Sequence, residues 1–128
     1  MARANFQAGG TINTSVFVTP STSVDNTVNQ SVSGDQPIGV SSQYSKLAPI
    51  PGATSEAADV NDPIMVYTPN EVTLLNATSA GWTAGDWLKP DLNGNGVTAT
   101  SGDFYGARAL TTMTGLGLGR VLVVIGKR

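Results

Sequence analysis

The chain has 128 residues and a net charge of −2, and only 12% of its residues are charged, about half of the usual ~25%. It holds no Cys and no His, which removes disulfides, thiol nucleophiles, Ser-His-Asp triads and nearly every zinc or iron site. The seven basic residues, Arg3, Lys46, Lys89, Arg108, Arg120, Lys127 and Arg128, are scattered apart from the C-terminal pair, so the clustered positive face that nucleic acid demands is not expected.

This length fits one domain that buries about two thirds of its unfolded surface. Leu, Ile, Val and Phe number 30 of 128 residues, just above the ~20% that marks disordered chains. A core this lean is one that a partner completes. No segment approaches the roughly 20 apolar residues of a membrane helix, and the N-terminus has no signal-peptide run. The expectation is a soluble protein without a membrane partner, in which the sequons at Asn13, Asn29 and Asn76 arise by chance.

Residues 1–33 differ in composition from the rest. Ile12, Val16 and Val18 share one parity with Phe17 opposing them, and Val24, Val28 and Val32 recur every fourth residue among Ser, Thr, Asn and Gln. β-branched residues among Asn, Thr and Ser favour strands over a helix, and Pro20 with Ser21 breaks the two runs. Two readings stand: weak edge strands of a barrel, or an extended arm lying on a neighbouring subunit. The domain organisation expected is an N-terminal arm or edge strands over 1–33 and a β-barrel domain over 34–128.

Ser33-Gly34-Asp35, followed by Gly39-Val40, returns in form as Ser101-Gly102-Asp103, followed by Gly106-Ala107. Each copy precedes an apolar run, residues 64–67 and 121–125, which reads as an internally duplicated barrel built from two similar hairpin units. Residues 46–52 are proline-bent and read as an irregular loop. Residues 54–59 are the one good helix former, with Thr54 or Ser55 as cap, so at most one short helix is expected. Residues 71–76 read as a further strand.

From residue 84 onward apolar runs are cut at short intervals by Gly85-Asp86, Asn93-Gly94, Asn95-Gly96, Gly102-Asp103 and glycines 115, 117 and 119. Short strands punctuated this often mean an all-β fold, a small antiparallel barrel or sandwich. Residues 121–125 lack alternation, which predicts a central strand buried on both faces.

Few constellations carry chemistry. Asp91, Asn93, Asn95 and Gly96 fit the first half of a calcium loop, but Gly102 stands where a bidentate Glu is required, so an Asn-Gly hairpin is the better reading. The glycines at 115, 117 and 119 match no phosphate-loop spacing. Asp35, Asp86 and Asp103 each follow a glycine in a turn, where Asp caps its own backbone, which weakens any catalytic carboxylate pair. No enzyme, no cofactor and no metal are expected. Trp82 and Trp87 flank a turn, where they close the core, face a partner, or with Tyr105 form a carbohydrate platform.

Ala84-Gly85-Asp86 with Leu88, then Asp91, Asn93-Gly94, Val97, Gly102-Asp103, Gly106-Ala107-Arg108-Ala109-Leu110, Gly119 and Val121-Leu122-Val123 resemble the small phage head decoration, or capsid cement, proteins over the C-terminal third. The resemblance implies a virion protein, assembled in the host cytoplasm, that binds the outer surface of the expanded head. Its partners would be the major capsid protein and further copies of itself, often in trimers, clamping adjacent shell subunits. On that reading Arg3, Phe6, Ile12, Phe17, Trp82 and Trp87 are the expected contacts with capsid or neighbouring copy. The alternatives are a tail, neck or fibre component and, from another class, a carbohydrate-binding β module.

Overall fold

The computed structural model describes residues 4–41, 56–58, 60 and 62–128. Among the described residues twelve strands run in order β1 (Ala4–Ala8), β2 (Ile12–Asn13), β3 (Phe17–Pro20), β4 (Thr27–Gln30), β5 (Gly39–Ser41), β6 (Glu56–Ala58), β7 (Pro63–Tyr67), β8 (Val72–Ala77), β9 (Trp87–Pro90), β10 (Gly96–Thr98), β11 (Phe104–Ala109) and β12 (Gly117–Lys127). The fold is all-β. The duplication is larger than the turn motif implied, because each half closes a barrel of its own: β1-β4-β3-β5-β7 and β10-β8-β12-β11-β9.

The two barrels have one topology. In each, the first strand pairs in parallel with the third and antiparallel with the fifth, and the second pairs antiparallel with the third and fourth. Register makes the match residue by residue. Ala8 and Pro20 both face Val28 in the first barrel, as Ala77 and Pro90 both face Gly96 in the second. The row Phe17, Val40, Tyr67 across the second, fourth and fifth strands becomes the row Trp87, Arg108, Leu122. Even the small β2–β6 sheet has a counterpart: Ile12 pairs with Ala58, and Trp82 bridges to Met113.

The repeated turns fall at equivalent places, before the fourth strand of each barrel. Gly34 and Gly102 each adopt φ 91°, a left-handed conformation that glycine reaches without steric cost. The Asp after each glycine accepts the amide three residues back, Val32 to Asp35 and Thr100 to Asp103. In register Gly39 and Val40 match Ala107 and Arg108, one residue on from Gly106-Ala107, because three residues separate Asp35 from Gly39 and only two separate Asp103 from Gly106.

Alternation divides the core in two. Val16, Val18, Val28, Ile64 and Val66 fill the first barrel with Ile12 and Ala58. Phe17, Val40 and Tyr67 point out of that barrel and join Leu75, Ala77, Leu88, Ala107, Val121 and Val123 in the second cluster. The barrels are thus packed together through an outward face of the first.

Several expectations are corrected. Residues 56–58 of the expected helix form strand β6, held by pairing with β2; Thr54, Ser55 and Asp59 lie outside the described residues, as does the proline-bent loop 46–52. Residues 121–125 are not buried on both faces: Val121 and Val123 are buried while Leu122, Val124 and Ile125 are half-buried, because β12 closes a barrel instead of lying inside a layered sheet. Val24 and Val32 sit exposed outside β4, and only Val28 points into the core. In the N-terminal region β1, β3 and β4 are three of the first barrel's five strands, and β2 pairs with β6 in a separate small sheet.

Candidate interaction surface

The expected contact residues meet different fates. Arg3 lies outside the described residues. Ile12 is buried in the first barrel, and Phe6 is half-buried against the same cluster. Phe17 is fully buried between the barrels. Trp82 plugs the second barrel and donates its indole NH to the Thr111 carbonyl at 2.8 Å, so the chain's own core uses it. Trp87 alone of the two tryptophans reaches the surface, half-buried on β9.

Trp87 is the centre of an outward-facing group. Its ring lies 4.5 Å from that of Tyr105 at a 35° tilt, and the Arg108 guanidinium stands 4.8 Å over the indole. Arg108 Nε also donates to the Gly85 carbonyl at 3.2 Å. Nearby, Lys127 Nζ stands 5.4 Å over Phe104. Aromatic faces favour cations through their quadrupole, and a ring already engaged by tyrosine and guanidinium has little open face to offer a sugar. The carbohydrate platform expected from Trp82, Trp87 and Tyr105 is further reduced because Trp82 is buried.

Electrostatics around the site come from turn carboxylates. Asp103 accepts from Lys89 Nζ at 2.8 Å and from the Thr100 amide and hydroxyl at 2.9 and 2.8 Å. The lysine first, then the threonine donors, hold its carboxyl well below the ordinary 3.8. Asp91 takes the amides of Asn93 and Asn95 at 2.8 and 2.9 Å, which shapes the hairpin tip from within its own turn. Among the described residues no three carboxylates gather as a metal site.

A second surface is apolar. Leu116 is 78% exposed, and Leu118 and Leu110 are exposed on the same barrel, with Leu110 set opposite Arg120, two residues from Leu118, by its amide donating to the Arg120 carbonyl. In sequence this stretch stands out by its glycines 115, 117 and 119 rather than by its leucines. The signal was present, since leucines alternate with glycines 115, 117 and 119 and a strand that alternates so puts its leucines on one side.

No protein-family model matches the chain, and no curated protein matches it. Solved structures that share its fold include two from one bacteriophage. The N base of head fiber gp8.5 in bacteriophage phi29 superposes with a TM-score of 0.67 at 14% identity, covering 99% of this chain and 97% of that one. The C-terminal fragment of bacteriophage phi29 gene product 12 does so with a TM-score of 0.60 at 13% identity, covering 97% and 100%. At such identities the likeness is one of fold, and it spans both barrels.

Proposed function

We propose that the chain is a non-enzymatic structural protein of a phage virion, seated on the outer surface of the head as a decoration module or the base of a head fiber. The observation that carries this reading is the full-length match, over both barrels, to the base of a phage head fiber. The partner it implies is the major capsid protein of the expanded shell, bound by an oligomer of this chain that clamps adjacent subunits. The exposed leucines 110, 116 and 118 are assigned to that contact, since an apolar patch left bare on a small domain marks an interaction site.

Co-sedimentation with expanded and unexpanded heads of the phage that encodes it tests the proposal. Binding to expanded heads alone, with density on the outer surface by cryo-electron microscopy, is the expected result. The double variant Leu116→Ser, Leu118→Ser should keep its melting temperature and lose occupancy. Equal absence from both kinds of head would reject the reading.

A further inference from the structure

We infer that the outward face of the second barrel around Trp87, Tyr105, Arg108 and Leu122 is a docking surface for the first barrel of another copy of this chain, joining molecules head to tail. The inference rests on the duplicated register and stands apart from any role in a virion.

Within one chain the first barrel already shows what this face is for. Its outward row Phe17, Val40, Tyr67 is buried by the second barrel. The Phe17 amide donates to the Gly94 carbonyl at 2.8 Å, and the Asn76 amide and side chain donate to the Ser15 and Thr14 carbonyls, both at 2.9 Å. Pro37 is buried beside Phe17 under Gly106. Trp87, Arg108 and Leu122 hold the places of Phe17, Val40 and Tyr67 on the second barrel, and Tyr105 holds that of Pro37.

Among the described residues nothing covers this second row as the second barrel covers the first, and Arg108 does two things that the neighbouring barrel does for the first. It lies over Trp87, as the second barrel lies over Phe17. It also caps the Gly85 carbonyl, the counterpart of Ser15's. The result is a patch of Trp, Tyr and Arg, the residue types in which interface energy concentrates.

The matching face is on the first barrel. Phe6, Asp25, Asn26 and Ile38 hold there the places of Leu75, Asn93, Gly94 and Gly106, which do the covering inside the chain. Phe6 and Ile38 are half-buried, and Asp25 and Asn26 are exposed at a hairpin tip. Charge agrees with this pairing. Residues 1–67 carry two basic and five acidic side chains, residues 68–128 five basic and four acidic. The acidic end of one copy therefore meets the basic end of the next, with Asp25 brought toward Arg108. A head-to-tail contact of this kind joins copies into a ring where its rotation closes and into a longer chain where it does not.

Sedimentation velocity of the purified chain across a concentration series tests the inference. Wild type should form dimers and longer species as concentration rises, less so in high salt. Arg108→Glu and Asp25→Arg should each weaken association by roughly tenfold or more, while mixing the two variants should restore it, since each supplies the charge that the other has reversed. Circular dichroism melts of both should match wild type. A wild-type chain that stays monomeric throughout, or association that neither charge reversal touches, overturns the inference. So does association seen only in Arg108→Val, which would make Arg108 a terminating cap.

Discussion

The ring of Phe17, on the first barrel, lies so close to Gly106, on the second, that a Cβ at Gly106 would stand 2.7 Å from Phe17 Cε1. Real Cβ atoms do not sit so near a ring, and Pro37 crowds the same spot, so Gly106→Ala must push the barrels apart. Overpacking of this kind costs about 1–3 kcal/mol. Thermal denaturation should show a clear loss in Gly106→Ala, and a smaller one when Phe17→Leu is already present. Equal losses in both backgrounds would mean that the Phe17 contact is not what forbids the side chain.

Ser15 and Gly85 are counterparts before the second strand of each barrel, and both have positive φ, 53° and 94°. The Ser15 hydroxyl is buried and finds no hydrogen-bond partner among the described residues. A left-handed non-glycine residue costs roughly 1–2 kcal/mol, and the unsatisfied hydroxyl adds to that, against the greater unfolded-state entropy of glycine. Ser15→Gly, the residue that the sister barrel uses, should raise stability by about 1 kcal/mol in chemical denaturation. A variant no more stable than wild type would contradict this.

Asp103 is held ionised by Lys89 and Thr100, with its carboxyl below the ordinary 3.8. A group whose folded pKa is depressed contributes stability above its unfolded value and loses it as pH falls toward the folded one. Wild type should therefore melt above Asp103→Asn at pH 7, and the gap should shrink as pH drops from about 4 to 2. A gap that stays constant across that range would show that the charge is not its source.

Deleting residues 2–19 removes β1 and β2 and most of β3, leaving β4, β5 and β7 without neighbours they need to close. The truncated chain should lose cooperative melting of the first barrel, and amide exchange in residues 63–67 should become fast. If those amides keep native protection, the strands are dispensable and the barrel is not cooperative.

Part of this fold was legible in advance. The parity of Ile12, Val16 and Val18 against Phe17 marked two opposite faces, and those faces belong to two different cores. The Ser-Gly-Asp turns marked a duplication because turn geometry constrains residue type locally. Two separate barrels could not be read, since in register the first four strands recur 68–70 residues on but the fifth only 55 on, and the strand residues themselves diverge from Phe to Trp and from Val to Arg. Residues 56–58 look helical on propensity, and pairing with Ile12 and Asn13 overrides it. Trp82 and Trp87 could not be told apart by sequence, because which side of a turn enters a barrel depends on how the chain closes.

Buried as it is in the finished molecule, the row Phe17, Val40, Tyr67 has a different history during synthesis. The first barrel owns all five strands once Tyr67 has left the ribosome, yet Gly106, which receives Phe17, follows 39 residues later. At ~5–20 residues per second that leaves an apolar stripe bare for roughly 2 to 8 s. For that interval two nascent chains on one message present each other with the same unmet surface, so the order of translation itself sets when this protein is most prone to join the wrong neighbour.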